Sequence, residues 1–159
     1  MPSEFVHRRR VEFAETDMAG IMHFSHFFRF MESAEHAFFR SLGFSVARPG
    51  GDDRLGLPRV HARCDFLAPL RFEDEVEIRL RVAKKTRRSL TYQFTLRRVQ
   101  PAPEVDAARG EITVVCVEHR ADGTLKAVPL PEVIARAIEA APPEESPGRA
   151  GAAGAKPRR

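Results

Sequence analysis

Apolar residues recur every three or four positions in one segment of this chain, which predicts a long amphipathic helix from Ser25 to about Leu42. Gly43 is a natural C-terminal stop for that helix. The apolar stripe consists of Phe27, Phe28, Met31, Ala34, Phe38 and Leu42, and the polar residues largely between them are Arg29, Glu32, Glu35, His36 and Arg40. Seven of the twelve phenylalanines lie between Phe24 and Phe44, which is more apolar bulk than a surface helix needs. We therefore expect the rest of the chain to wrap around this helix.

Strict alternation of apolar and polar residues predicts strands elsewhere. The first is expected over residues 8–14, with Val11 and Phe13 on one face. Three more are expected at residues 60–66, 76–82 and 90–96, each with one face on a core and one in water, as in an antiparallel sheet. Residues 111–118 are apolar on both sides, which suits a central strand or a subunit interface.

The remaining segments complete one α+β domain over residues 1–141. Residues 45–58 have no consistent period and predict a loop, and Asp122-Gly123 marks a turn. A short second helix is expected from Pro131, with an apolar stripe of Val133, Ile134, Ala137, Ile138 and Ala141. Residues 142–159, rich in Pro, Gly, Ala and Arg, predict a disordered tail. The order of elements favours a long helix packed in the concavity of a curled antiparallel sheet.

Composition narrows the class of protein. The 159 residues are 43% hydrophobic and 30% charged, without a secretory signal or an apolar run near the ~18 residues of a membrane span, so we expect a cytoplasmic protein. The net charge is +4, and half of it belongs to the segment from Glu144 onward. Nucleic-acid binding is not expected, because no basic stripe is interleaved with aromatic residues. Cys64 and Cys116 have no zinc-like spacing and are expected to be reduced.

The candidate chemistry lies in the residues that lead into the long helix. Asp17, on a turn that contains Gly20, places a carboxylate a few residues before backbone N–H groups that no intrahelical carbonyl can satisfy. Such N–H groups form a site for an anion or a carbonyl oxygen, so the pattern is that of a hydrolytic centre. An Asp that only bonds the backbone of its turn has the same local sequence, and the residues alone leave both interpretations open.

These residues carry a family resemblance. The run Asp17-Met18-Ala19-Gly20-Ile21-Met22-His23-Phe24, then His26-Phe27 and the helical Glu32, resembles the signature of hotdog-fold acyl-CoA thioesterases of the 4-hydroxybenzoyl-CoA thioesterase and YbgC type. The likeness continues through residues 65–74 and 114–117 and covers roughly residues 6–140. It departs from the family where many YbgC-type members have Tyr-His and this chain has His23-Phe24, and where the usual Asn is His26.

The resemblance implies fold, activity and catalytic residues. The implied fold is a curled antiparallel sheet wrapped around one long central helix, and the implied activity is hydrolysis of an acyl-CoA thioester. Asp17 would be the nucleophile or the general base. The backbone N–H of Phe24 would polarise the thioester carbonyl, Gly20 would allow the tight backbone, and Glu32 would assist Asp17 or position water. A turn glycine and an ion-paired surface carboxylate are the ordinary alternatives for Gly20 and Glu32.

Substrate contacts are expected from a second set of residues. His23 and His26 lie at the start of the helix, and the candidates for the phosphates of CoA are Arg63, Lys84, Lys85 and Arg87. A solvated basic hairpin is the alternative for the residues around Lys84. A metal hypothesis based on the nearby histidines and glutamates has no standard signature, and no metal or cofactor is expected beyond the CoA of the substrate.

A homodimer or homotetramer is expected, because the family pairs the strand edges of a single sheet across subunits. Two other functions stay open: a non-catalytic acyl-binding hotdog protein, and a hotdog dehydratase acting on acyl carrier protein. The dehydratase is less favoured because its Pro/Gly-rich His motif is missing. The acyl group itself cannot be read from the sequence.

Overall fold

The computed structural model describes residues 2–142. The strands in this range are β1 (Glu4–Arg10), β2 (Leu55–Gly56), β3 (Arg59–Phe66), β4 (Glu75–Lys85), β5 (Ser89–Gln100), β6 (Val105–Val115), β7 (Val117–His119) and β8 (Leu125–Ala127). The helices are α1 (Ser25–Ser41) and α2 (Glu132–Ala137), and short 3-10 turns lie at Phe13–Glu15 and Pro49–Gly51. The predicted tail lies outside the described residues, except for Pro142.

Two antiparallel sheets form the frame. Five strands pair in the order β1-β4-β5-β6-β3, and a small sheet has the order β2-β7-β8. β1 and β3 are therefore the two edges of the large sheet. This curled sheet with one long helix against it is the α+β hotdog arrangement that the resemblance implied.

Helix α1 fills the concave face of the large sheet. Phe30, Phe38 and Phe39 are fully buried there. At one end of the helix the Phe27 ring lies 5.0 Å from the Phe66 ring of β3, and at the other end the Phe38 ring lies 5.8 Å from Phe5 of β1. The helix begins and ends where the periodicity predicted, and Gly43 follows it with a φ of +81°. The prediction of a wrapped helix is confirmed.

The first predicted strand is wrong in its bounds. It was expected over residues 8–14, but β1 spans Glu4–Arg10, and Phe13 is an exposed residue of a 3-10 turn. The alternation in β1 is hidden because its inward positions are Phe5, His7 and Arg9, two of which are polar.

The predicted strand at residues 111–118 is two strands. β6 runs from Val105 to Val115 as a central strand between β5 and β3, as expected, whereas β7 belongs to the small sheet. Cys116 and Val117 are buried after the chain has left the large sheet, which is why the segment is apolar on both sides.

Smaller differences concern the C-terminal half. Residues 45–58 contain the short strand β2 as well as a loop. Helix α2 ends at Ala137, so Ile138 and Ala141, although buried, follow the helix rather than belong to it. Val133 is exposed.

Edge strand β3 does not bury a face as predicted. Cys64 is its only half-buried residue, and Val60 and Phe66, from the apolar face, are 61% and 52% exposed. The alternation of apolar residues is real, but few residues of the same chain cover them.

Charged residues of neighbouring strands pair on the outer face of the large sheet. Arg8 and Arg10 of β1 bind Glu77 and Glu75 of β4, each at 2.9 Å, whereas Arg9 between them points to the helix side. Within residues 2–142 no helix combines the length and the apolar character needed to cross a lipid bilayer.

Close packing between β6 and α1 at Gly110 gives a test of this arrangement. A Cβ at Gly110 would overlap the terminal atoms of Met31 and lie 3.2 Å from the Arg63 carbonyl oxygen. Gly110→Ala should lower the free energy of unfolding by about 1–3 kcal/mol, measured by urea denaturation. Met31→Leu removes the overlapping methyl group and should recover part of the loss in the double variant. A Gly110→Ala protein as stable as the wild type would contradict this packing.

Candidate active site

Asp17 opens a tight turn between β1 and α1. Its N–H donates to Ile21 O at 3.0 Å, and Gly20 N–H donates to Asp17 O at 2.9 Å. Gly20 has a φ of +74°, a conformation that glycine adopts without strain. Asp17 Oδ1 accepts a 2.8 Å hydrogen bond from Ala19 N–H, whereas Oδ2 has no donor among residues 2–142. The half-exposed carboxylate is therefore anchored through one oxygen and presents the other.

The entry to α1 presents an unused backbone donor. His23 N–H donates to Glu15 O and His26 N–H donates to His23 O, both at 2.9 Å. Phe24 N–H, between them, has no acceptor in the described part of the chain. Because the N-terminus of a helix carries partial positive charge, this N–H is a site for a carbonyl oxygen or an oxyanion. The Phe24 ring is 62% exposed and is not core.

The two histidines at the helix start differ in whether their Nδ1 atom has a hydrogen-bond partner. His23 Nδ1 is paired with Ser25 Oγ at 2.8 Å, and its ring lies 4.5 Å from the Phe24 ring. The His26 ring is 6.5 Å from that of His23, and its Nδ1 is buried without a partner among residues 2–142. His26 therefore offers a free polar atom close to the helix start.

Glu32 lies away from this group. Eight residues of helix separate it from Phe24, a rise of about 12 Å, which exceeds hydrogen-bond reach. Its carboxylate lies 3.2 Å from Arg59 of β3 and 4.0 Å from His36 Nε2. Within one chain the structure thus pairs Glu32 with a strand and does not bring it to Asp17.

Glu35 was predicted to lie among the polar positions of α1, and this is wrong because the residue is fully buried. Its Oε2 binds Arg59 at 2.5 Å, whereas its Oε1 and the nearby Tyr92 hydroxyl each lack a hydrogen-bond partner among the described residues. Burial outweighs the nearby guanidinium and raises the pKa of Glu35 to about 7. Burial, together with the Glu35 carboxyl, also raises the pKa of Tyr92.

The basic residues expected to meet CoA lie far from Asp17 in the same chain. Val11 N–H donates to Asp74 O at 2.9 Å, which places the Asp17 turn near the start of β4. Lys84 and Arg87 lie at the other end of β4, a strand of 11 residues and so about 33 Å long. Both are exposed.

Lys85 and Arg63, which were also expected to contact CoA, lie elsewhere in this chain. Lys85 Nζ donates to the carbonyl oxygens of Ala135 and Ile138 at 2.8 and 2.7 Å, so it caps α2. Arg63 lies on the outer face of the sheet, beside a concavity of about 650 Å³ that contains neither Asp17 nor Phe24. The structure brings neither of these side chains to the helix start.

The described residues do not provide a site for the metal ion considered above. Among residues 2–142, no three His, Cys, Asp or Glu side chains lie together in a way that would hold a metal ion.

Comparison with known proteins fits this geometry. The profile of the thioesterase-like superfamily matches residues 11–138, which include the turn, the helix and every strand of the large sheet except β1. The chain belongs to this superfamily. The chain is 30% identical over 140 residues to the 1,4-dihydroxy-2-naphthoyl-CoA hydrolase of Prochlorococcus marinus (strain MIT 9303), with 84% of this chain and 88% of the relative covered.

Solved structures extend the likeness. The 1,4-dihydroxy-2-naphthoyl-CoA thioesterase of Synechocystis superposes with a TM-score of 0.75 at 25% identity, covering 84% of this chain and 94% of the other. The gentisyl-coenzyme A thioesterase BH1999 superposes with a TM-score of 0.71 at 29% identity, covering 82% and 99%. By family the chain is therefore a thioester hydrolase, as the sequence predicted.

The sequence did not predict two charged features of the interior, the buried Glu35 and the Arg9–Glu15 ion pair. Glu35 occupies a position four residues after Met31 and three before Phe38, so the helical period itself marks it as inward-facing. Arg9 and Glu15 pair at 2.7 Å beneath the Asp17 turn. The position of Arg9 on the inward face of β1 could have indicated this pair. The strand was predicted over the wrong residues, so Arg9 was not placed on that face.

The raised pKa of Glu35 predicts how stability depends on pH. Between pH 4.5, the ordinary pKa of a Glu side chain, and the folded-state pKa of about 7, the folded protein holds a proton that the unfolded chain has released, so this group makes the free energy of unfolding fall as pH rises. The total fall is about 3 kcal/mol, and the slope should end above pH ~7. Glu35→Gln should abolish this slope in urea denaturation from pH 4.5 to 8.5. Glu32→Gln, which removes an exposed carboxylate from the same Arg59, should retain it, and an unchanged slope in Glu35→Gln would refute the assignment.

Proposed function

We propose that the protein hydrolyses the thioester of an acyl-CoA at the turn and helix start formed by Asp17 and Phe24. The observation that carries the proposal is that the short segment leading into α1 contains both a carboxylate oxygen without a donor and a backbone N–H without an acceptor among residues 2–142. The likeness to relatives that act on CoA thioesters supports it.

Phe24 N–H would hold the thioester carbonyl oxygen and stabilise the charge that develops on it, an effect of about 3–4 kcal/mol for a preorganised donor. Asp17 would then act in one of two ways. As a nucleophile, its Oδ2 attacks the carbonyl carbon, the thiolate of CoA leaves, and water hydrolyses the resulting anhydride. As a general base, it takes a proton from the attacking water. In both cases the products are the free acid and CoA.

Gly20 supports this arrangement by closing the turn, and the buried Nδ1 of His26, which has no partner among residues 2–142, would bond a polar substrate group inserted beside the helix start. His23, tied to Ser25, would shape the wall beside Phe24. Glu32 is left out of the proposed catalytic group because of its distance along α1.

An aromatic acyl group is the substrate class that we propose. The names of the relatives specify dihydroxynaphthoyl and gentisyl groups, both hydroxylated aromatic acids. Exposed rings near the site are compatible with such a group, since Phe24 lies at the helix start and Phe66 ends β3.

We further propose that two chains pair through β3. The strand is an uncovered edge that exposes Val60 and Phe66, a combination that in an isolated subunit would invite association. Antiparallel pairing of β3 with its copy would extend the sheet to ten strands. A tetramer would then be a pair of such dimers.

This pairing would bring the basic hairpin of one subunit close to Asp17 of the other, although the two are far apart within one chain. The Arg59 end of β3 lies towards the hairpin, and the Phe66 end lies towards Asp17. Antiparallel pairing would place the hairpin of one subunit, with Lys84 and Arg87, at the Asp17 end of the other. The hairpin would then lie three or four strand spacings of about 4.8 Å from β3 of the other subunit, whose Phe66 ring contacts Phe27 in the first turn of α1, a span suited to the extended pantetheine arm of CoA.

The first test is Asp17→Asn on a panel of aromatic and aliphatic acyl-CoAs, with thiol release as the readout. The variant should fold normally and lose about 10²–10⁴-fold in kcat. Asp122→Asn is a matched control, because Asp122 Oδ1 also accepts its own turn hydrogen bond, from Thr124 N–H at 2.9 Å. Full activity of Asp17→Asn would refute the proposal. Absence of turnover in the wild type would favour the acyl-binding alternative.

The second test asks whether the site is shared between subunits. Chains carrying Asp17→Asn and chains carrying Lys84→Ala with Arg87→Ala should each be impaired, the latter mainly through a raised KM. Purified heterodimers with a different tag on each chain should regain about half of the wild-type activity, because one site then has both intact parts. If both parts come from the same chain, no activity is regained, and the shared site is disproved.

A further inference from the structure

A partly buried ion pair, between the partly exposed Arg9 and the buried Glu15, joins β1 to the turn that carries Asp17. Arg9 Nη2 lies 2.7 Å from Glu15 Oε1, and Glu15 is only 9% exposed. Burying two charges costs desolvation energy that their attraction does not reliably return, so such a pair is poorly explained by stability alone. Its position between β1 and the Asp17 turn suggests that it holds these segments in place.

Glu15 connects three segments of backbone. Its side chain accepts hydrogen bonds from Arg9 and, at 2.9 Å, from Glu12 N–H. Its main-chain carbonyl accepts the N–H of His23, also at 2.9 Å. Glu15 lies two residues before Asp17, and His23 immediately precedes Phe24. One residue thus holds both ends of the loop on which the carboxylate and the carbonyl-polarising N–H depend.

Arg9 extends this connection to the helix. Its guanidinium lies 4.1 Å from the centre of the Phe30 ring, which is fully buried in the second turn of α1. The strand, the Asp17 turn and the first turns of α1 are therefore held by a single side-chain cluster, Arg9, Glu15 and Phe30.

We propose that Glu15, held by Arg9, is a positioning residue that sets the distance between the Asp17 carboxylate and Phe24 N–H. The inference rests on the proposed function. Reacting groups must be held within a fraction of an ångström, and a displacement of about 1 Å can cost about 10²-fold in rate. Loss of the ion pair should therefore reduce turnover without removing any group that touches the substrate.

The neighbouring ion pair supplies a matched control. Arg10 and Glu75 are 2.9 Å apart and also link β1 to another segment, but they lie exposed on the outer face. Neither side chain contacts the Asp17 turn through a hydrogen bond among residues 2–142. Arg10→Gln with Glu75→Gln removes the same number and kind of charges from the same strand region.

The experiment is a double-mutant cycle with Arg9→Gln and Glu15→Gln, assayed on a thioester that the wild type hydrolyses, at a temperature well below each variant's Tm. Each single variant should lose about 10- to 100-fold in kcat, with KM changed less than about threefold. The double variant should be no slower than the slower single one, because both changes disrupt one cluster. The Arg10/Glu75 control should remain within about twofold of the wild type.

Several results would overturn the inference: kcat within about twofold of the wild type in both single variants, additive losses, or an equal loss in the control. If Glu15→Gln does not fold, Arg9→Lys replaces it, since lysine keeps the charge but loses the planar contact with Phe30. An unchanged kcat in Arg9→Lys would then count against the proposal, and a reduced kcat at unchanged KM would support it. Asp17→Asn separates the two hypotheses: an active Asp17→Asn refutes the proposed function, whereas an inactive one beside a fully active Glu15→Gln refutes only the positioning role.

Discussion

Burial of the phenylalanine-rich face of α1 in the concave sheet is the interaction on which the rest of the structure depends. Phe30, Phe38 and Phe39 are fully buried, and each contributes on the order of 1.5–3 kcal/mol relative to an exposed side chain. Because these rings fix the helix along its length, its first turn occupies a defined position against the turn after β1. The candidate site is a consequence of this packing, since Asp17 belongs to the turn and Phe24 to the helix start.

The elements that the sequence predicted well are those whose partners lie within the same chain. Helix α1 and strands β4 and β5 bury one face against residues of this chain, so their periodicity matches their structure. β1 was misplaced because two of its inward side chains, His7 and Arg9, are polar. Strand β3 has the expected alternation, but few residues of this chain cover its apolar side, so its periodicity does not match its burial.

The candidate site was predictable to a similar extent. Motif and turn chemistry indicated Asp17, Gly20 and Phe24, of which Asp17 and Gly20 lie in one hydrogen-bonded turn and Phe24 lies at the start of α1. Local pattern could not indicate that Lys85 caps α2 or that Lys84 lies a whole strand length away from Asp17, because both depend on how the sheet is assembled. Local pattern also did not indicate the contacts of Glu15. Its main-chain carbonyl, which any residue type would supply, binds His23 N–H, and its buried side chain binds Arg9.

The three consecutive arginines of β1 show how a sheet distributes charge. Successive side chains point to opposite faces, so Arg8 and Arg10 bind Glu77 and Glu75 on one side, while Arg9 binds Glu15 on the other. A run that in a linear sequence looks like a polybasic signal is therefore neutralised residue by residue inside the fold. Each of these charges is offset by a neighbouring carboxylate, so the run adds less net positive charge to the folded surface than the isoelectric point of the chain suggests.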